Sequence, residues 1–152
     1  MTPFDTRSLA ELIHRKRQCL LSLHTVGQKQ LELVRGGTMT ELLDLLAAKQ
    51  QVLLQLQGVE RDLDPFRAQD PESRTWPSPE SRGACAAELA ECEALLADIV
   101  RQERASEQEL IRRRDAAGAQ LAGAQAAGRA QRAYLDHATD PPAHLDLVSE
   151  QR

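Results

Sequence analysis

The sequence has few aromatic side chains: its 152 residues include two phenylalanines, one tryptophan and one tyrosine. β-Branched residues are also few, whereas leucine, alanine, arginine, glutamine and glutamate are abundant. A β-sheet needs β-branched and aromatic residues on its faces, and the abundant residues are strong helix formers. The composition therefore excludes a sheet-based fold and is typical of long helices or a coiled coil.

Long apolar runs and surplus positive charge are also missing. No segment approaches the roughly 18 consecutive apolar residues of a membrane span, and the N-terminus lacks the order of a signal peptide. With 19 basic and 23 acidic residues, the net charge of −4 is the wrong sign for a general nucleic-acid binder. Only three of the 19 basic residues are lysines, and so small a share of lysine is typical of a GC-rich bacterial genome. We expect a cytoplasmic bacterial protein with no membrane span and no nucleic-acid partner.

No arrangement of residues typical of a catalytic or metal site is found. Cys19 lies five residues from His14 and from His24, so the three cannot share one helix face. Cys85 and Cys92 have no second pair to complete a zinc site, and the odd number of cysteines predicts reduced thiols. Phosphate-loop and dinucleotide-binding motifs are absent as well. We expect no catalytic residues, metal or cofactor, and therefore no enzyme.

The N-terminal part has helical periodicity. Apolar residues recur at alternating steps of three and four from Leu9 to Leu33, which predicts a helix over residues 6–35. Gly36 and Gly37 then end it, because glycine readily takes the left-handed conformation that terminates helices. This helix carries six basic and two acidic residues and the next helix two and five, so we expect the two to pair their charges.

A second helix is predicted over residues 38–64. Thr38 and Glu41 have the spacing of a capping box, and Pro65 is expected to stop the helix at the residue before it. Its leucine-rich face, with Leu46 included, should form the core. Because only two glycines separate the helices, they should form an antiparallel hairpin. In the loop that follows, Trp76 should pack onto the open end of this hairpin; a role in partner binding is the alternative.

The third helix is predicted over residues 79–135 and changes character along its length. The stripe that faces one side of this helix is apolar in its first part, at Cys85, Leu89, Cys92, Leu96 and Ile99. In its second part the same stripe mixes apolar with polar residues, at Glu103, Ser106, Leu110, Arg113, Ala117, Gln120 and Ala124. The hairpin can cover only about half of so long a helix. We expect one helical domain over residues 1–135, a three-helix bundle or coiled coil, followed by a disordered tail over residues 136–152.

Apolar residues in the mixed half of this helix are the candidate partner-binding site. They lie beyond the reach of the hairpin, and apolar residues grouped on an exposed helix mark interaction surfaces. The candidates are Leu110, Ile111, Ala117 and Leu121.

The segment from Leu20 to Leu63 resembles FlgN-type flagellar export chaperones. It contains Leu-Leu-Ser-Leu, Gln-Leu-Glu-Leu-Val, a Gly-Gly turn and the pattern Leu-Leu-x-x-Leu-x-x-Lys, here at Leu42, Leu43, Leu46 and Lys49. The resemblance extends over about residues 7 to 135. It implies a cytoplasmic chaperone that binds the C-terminal helices of hook-filament junction proteins and escorts them to the export apparatus. Client contacts in that family lie in the C-terminal helical part. The alternative is a structural coiled-coil or adaptor subunit that homodimerises through its third helix.

Overall fold

A computed structural model describes residues 5–139, which are mostly helical and contain no strand. Helix α1 is Thr6–Gly36, α2 is Met39–Arg67 and α3 is Pro79–Thr139. A short 3-10 turn, Pro71–Ser73, lies between α2 and α3. The expected all-α fold, with a helical hairpin and one very long third helix, is confirmed. Residues 136–139, placed by the sequence in a tail, belong to α3, and the rest of that tail, 140–152, lies outside the described residues.

The first two helices begin where side chains satisfy their terminal amides. Asp5 accepts hydrogen bonds from the backbone N–H groups of Arg7 at 2.5 Å and Ser8 at 3.1 Å. At the start of α2, the Thr38 hydroxyl accepts from Glu41 N–H at 3.1 Å, while the Glu41 carboxylate accepts from Thr38 N–H at 3.2 Å. The predicted capping box is therefore confirmed.

The turn between α1 and α2 uses glycine for space and not for a left-handed conformation. Gly37 is extended, with φ −87° and ψ 176°, so the left-handed termination expected from the sequence is wrong. Its N–H donates to the Leu33 carbonyl at 2.8 Å. A Cβ on Gly37 would lie only 2.5 Å from Leu33 Cδ2 and 2.9 Å from Leu33 Cα. Glycine is needed here because the chain turns directly against the last turn of α1.

Helix α2 continues through Pro65 and ends three residues after the predicted stop at residue 64. Phe66 is buried, with 3% of its surface exposed, and joins the core at this end of the bundle. The Arg67 guanidinium donates to the Glu60 carbonyl at 3.3 Å and to the Asp64 carboxylate at 2.5 Å. The burial of Phe66 and the bonds of Arg67 to the preceding turn offset the backbone hydrogen bond that proline cannot make.

Three apolar clusters form the core along the length of α1. Their buried members are Leu9, Leu12, Ile13, Val59, Leu63, Phe66 and Cys85 in the first, Leu20, Leu23 and Cys92 in the second, and Leu33, Val34 and Leu42 in the third. Trp76 packs against the first cluster, at the open end of the hairpin, as predicted. All three helices contribute to the first cluster, and α2 joins the second through the partly buried Val52, Leu53 and Leu56, so the core is that of a three-helix bundle.

Contacts between α1 and α3 fix the direction of the third helix. Cys85 lies in the cluster of Leu9, and Gln102 Nε2 donates to the His24 carbonyl at 3.0 Å. Residue numbers therefore rise in the same direction along both helices. The helix α3 runs parallel to α1 and antiparallel to α2, which is an up-down-up arrangement.

Several leucines predicted for the core lie at its edge. Leu46, Leu89 and Leu96 are 38%, 40% and 47% exposed. Each residue turns about 100° around a helix axis, so a leucine next to a core position points well away from it. Leu95 packs against the second cluster in place of Leu96, and Leu45 against the third in place of Leu46. Assigning Leu46 to the core is therefore wrong.

Charged side chains of α1 contact carboxylates on both neighbouring helices, and its two histidines contact carboxylates on α3. Among the described residues, one ion pair joins α1 to α2, between Lys16 and Glu60 at 2.9 Å. The contacts to α3 are His14 with Glu88 at 2.8 Å, Arg17 with Glu91 at 2.6 Å and His24 with Asp98 at 4.0 Å. The expectation that α1 and α2 would pair their charges is thus met at one position. The charge balance of these two helices did not reveal that α3 also offers carboxylates to α1.

The chain divides into two compact units after Leu110, within α3. The first, Met1–Leu110, contains the three clusters. In the second, Ile111–Arg152, every residue from 111 to 138 is exposed except the half-buried Gly128. The first unit is a packed bundle, and the described part of the second is one helix without an apolar core.

Candidate protein-binding surfaces

The four candidate residues predicted from the sequence are all exposed on α3. Leu110 is 44% exposed and belongs to the first unit, while Ile111 and Leu121, 41% and 59% exposed, belong with Ala117 to the second. Ala117 and Leu121 are four residues apart and share one face of the helix. Ile111 lies about 80° around the helix from Leu121. The helix thus brings Ala117 and Leu121 together but leaves Ile111 on a neighbouring face.

A second row of exposed apolar residues, absent from that candidate set, lies on the first unit. Leu89, Leu96 and Val100 are 40%, 47% and 41% exposed, and their spacing of seven and four places them on one side of α3. On α2, Leu46 and Leu53 are also seven residues apart. Two further steps of seven along the same side of α2 lead to Arg67. Leu46 is 38% exposed, whereas Leu53 is half-buried and packs against the second cluster. We call these five apolar residues, on the adjoining flanks of the two helices, the α2–α3 groove.

The groove leads at one end into a cavity of about 440 Å³, which we call the basal cavity. Helix α1 forms part of it through Leu9 and Ile13, and Trp76 lines it from the loop after α2. Leu89 belongs to both the groove and the cavity. Leu63, Phe66 and Cys85 complete most of the apolar lining. The cavity is therefore an apolar depression at the open end of the hairpin.

Basic side chains surround this apolar lining. Lys16, Arg67, Arg74 and Arg82 line the cavity, with Glu93 as the one acidic residue among its described lining. Lys16 and Arg67 both bind the Glu60 carboxylate. Burial alone would raise the pKa of Glu60, but the hydrogen bonds from Lys16 and Arg67 outweigh burial and hold the pKa below its ordinary value. These groups join α1 to α2 beside the cavity.

Arg74 differs from the other basic residues because its hydrogen bonds go to neutral oxygens. Its Nη2 donates to the Phe66 carbonyl at 2.7 Å and its Nε to the Gln69 side-chain oxygen at 3.3 Å. Within residues 5–139, no carboxylate lies at ion-pair distance from Arg74. Arg82, in contrast, lies 3.4 Å from the Glu72 carboxylate. Arg74 therefore brings to the cavity a positive charge that no neighbouring side chain neutralises directly.

The cysteines are in environments that suppress reactivity. Burial raises the pKa of the Cys19, Cys85 and Cys92 thiols, and the thiolate is the nucleophilic and metal-binding form. In the part of the chain that the structure describes, no three His, Cys, Asp or Glu residues are placed to hold a metal ion. His14 and His24 contact carboxylates on α3. Both histidines thus take part in contacts between α1 and α3.

One close helix contact was missed in the sequence. Gly27 is buried in the middle of α1, and a Cβ there would lie 2.1 Å from Oε1 of Gln102. Gln102 lies across this glycine and donates to the His24 carbonyl. Glycine inside a helix costs about 1 kcal/mol relative to alanine, so its presence there signals a close approach. Gly27 thus makes room on α1 for the Gln102 side chain of α3.

Comparison with known proteins gives no relative for this chain: no family model, curated protein or solved structure matches it. Between residues 5 and 139, none of the helices combines the length and the apolar character needed to cross a bilayer.

Proposed function

We propose that this chain is a cytoplasmic binding protein of the FlgN-like export-chaperone type. It holds an amphipathic helix of an exported flagellar protein, such as a hook-filament junction protein, and escorts it to the export apparatus. One observation carries the proposal: the part of α3 after Leu110 is helical although no described side chain there is buried. The apolar side chains of Leu121 and Leu135 are 59% and 52% exposed.

The energetics favour binding of moderate strength. A partner helix laid on this part of α3 would cover roughly 300–500 Å² of apolar surface, worth about 8–12 kcal/mol before the costs of association. Gly118, Gly123 and Gly128 each disfavour the helix by about 1 kcal/mol relative to alanine, so binding must also order this segment. After those costs we expect an affinity in the micromolar range or somewhat tighter. Reversible binding of this strength suits an escort that must release its client.

The test is direct titration with the C-terminal helical segments of hook-filament junction proteins, measured by calorimetry. The full chain should bind one of them, and a chain ending at Leu110 should not. Leu121→Asp should weaken binding at least tenfold, because it places a charge on the apolar face. Leu43→Asp is the matched control, since Leu43 is equally exposed at 59% but lies on α2. Equal binding by the full and shortened chains would contradict the proposal.

The competing function, a homodimeric structural subunit, predicts a different result. Leu121 would then be covered by a second copy, and light scattering should give a dimer that Leu121→Asp converts to a monomer. If the chain is a chaperone, its client covers this face, and the free chain does not need to form a dimer. A dimer stable on dilution, combined with no binding of any segment, would favour the structural role.

A further inference from the structure

We propose that the basal cavity and the α2–α3 groove form a second binding site, which takes an acidic amphipathic helix of a protein partner. An apolar side chain of that helix enters the cavity, and a carboxylate beside it meets Arg74 and Arg82. The site lies wholly within the first unit and shares no residue with the surface around Leu121. It therefore stands or falls separately from the proposed function.

Shape supports an apolar anchor at this place. A cavity of about 440 Å³ is within the range of about 300–1,000 Å³ usual for ligand pockets. Leu9, Ile13 and Phe66 are buried members of the core, so this part of the lining is fixed by packing. Trp76 and Leu89 line the cavity too and remain partly accessible. An entering side chain thus meets a preformed apolar surface.

Charge selects a partner with carboxylates. A guanidinium has five N–H donors, and within the described range Arg74 uses two groups, Nε and Nη2, on neutral oxygens. A carboxylate from outside could accept from the remaining donors and form the ion pair that Arg74 lacks within the described residues. Arg82, with 55% of its side chain exposed, could turn toward the same group because its bond to Glu72 is long at 3.4 Å. A basic partner would face these charges unfavourably.

The groove indicates a helix instead of a small acid. From Leu89 in the cavity, apolar residues continue seven and eleven positions on at Leu96 and Val100, with Leu53 and Leu46 across the groove on α2. A small carboxylate would fill the cavity and leave this row exposed. A helix with apolar residues at steps of three and four would cover both, as helices bound in grooves do.

The first experiment uses the fluorescence of Trp76, the one tryptophan of the chain, to report occupancy of the cavity. The probe is a blocked synthetic helix with a leucine stripe flanked by glutamates, titrated into the full chain. The matched probe has lysines in place of the glutamates. We expect a saturable change in emission with the acidic helix and binding at least ~10-fold weaker with the basic one. Equal binding of the two helices, or no change with either, overturns the proposal.

Variants then locate the site. Arg74→Gln and Leu89→Ala should each weaken the acidic helix about tenfold, whereas Arg74→Lys, which keeps the charge, should weaken it less. Arg82→Gln, on a side chain that is 55% exposed, should give a smaller loss in the same direction. The controls are Arg101→Gln and Leu43→Ala, both exposed and outside the cavity lining. Losses equal to those of the controls overturn the proposal.

Two further measurements separate the alternatives. Leu121→Asp should leave binding of the acidic helix unchanged, so failure of the proposed client surface would not imitate failure of this site. Decanoate, a small amphipathic carboxylate, should compete weakly or not at all. Tight decanoate binding together with no helix binding would make this a small-molecule site and overturn the proposal.

Discussion

The two units of this chain differ in what covers their apolar side chains. In the first, Leu20, Val34 and Cys92 are at most 1% exposed. In the second, Leu121 and Tyr134 are 59% and 73% exposed, although both stand on a regular helix. The same helix, α3, contributes to both units. Helical conformation and tertiary packing are therefore separate properties here, and the proposed client surface lies where the first occurs without the second.

The largest expected contrast comes from a charge placed in each unit. Leu20→Asp buries a carboxylate among Leu23 and Cys92 and should cost at least ~4 kcal/mol, enough to unfold the bundle. Leu121→Asp should change the free energy of unfolding by less than about 0.5 kcal/mol, since its side chain is exposed. Denaturant unfolding followed by circular dichroism measures both. Similar losses in the two variants would mean that the second unit is packed as tightly as the first.

Glycine substitutions should have opposite signs in the two units. Gly27→Ala displaces Gln102 and its bond to the His24 carbonyl, at a repacking cost of about 1–3 kcal/mol that exceeds the gain of about 1 kcal/mol in helix propensity. Gly118→Ala meets nothing within 4 Å and should increase helix content without lowering stability. The measurements are the urea midpoint and the far-ultraviolet circular dichroism.

A double variant serves as the control for Gly27. In a Gln102→Ala background the new methyl group has room, so Gly27→Ala should become neutral or stabilising. If Gly27→Ala destabilises equally in both backgrounds, the close packing of Gln102 on α1 is not the reason for this glycine.

The smallest predicted effect is a pH dependence of the bundle. The pKa of Glu60 is lowered in the folded state, so the stability it contributes is present above its ordinary pKa of about 4.3 and is lost as pH falls through the lowered value. Glu60→Gln should therefore flatten the decline of the urea midpoint between about pH 5 and pH 2. Asp115→Asn, on an exposed side chain of the second unit, is the control and should leave the decline unchanged. If the decline is unaltered in Glu60→Gln, the ion pairs of Glu60 with Lys16 and Arg67 do not contribute to the pH dependence of stability.

Local signals in the sequence predicted the helices well. The capping box of Thr38 and Glu41 and the three-four spacing from Leu9 to Leu33 depend on neighbours in the chain, and both correspond to features of the structure. Pro65 shows the limit of such signals, because the burial of Phe66 carries α2 past it. A tertiary contact here outweighs a local preference.

The binding surfaces were harder to predict, since they depend on which leucines remain exposed when the three helices pack together. Leu89 and Leu96 satisfy the helical stripe as well as Leu95 does, and only the placement of α2 beside α3 distinguishes them. The basal cavity likewise joins residues from three helices and a loop. A signal was present in the arginines at 67, 74 and 82 around Trp76, but their meeting at one cavity requires the fold. The candidates Leu110, Ile111, Ala117 and Leu121 remain a prediction.

Amide hydrogen exchange along α3 of the free, full-length chain tests the central claim most directly, because it compares the two units within one helix. If the packed bundle ends near Leu110, amides from about residue 85 to 106 should exchange only through global unfolding. Amides from residue 111 onward should exchange orders of magnitude faster and become protected when a partner helix binds. Slow exchange from residue 111 to 138 in the free chain, unchanged at high dilution, would contradict the account.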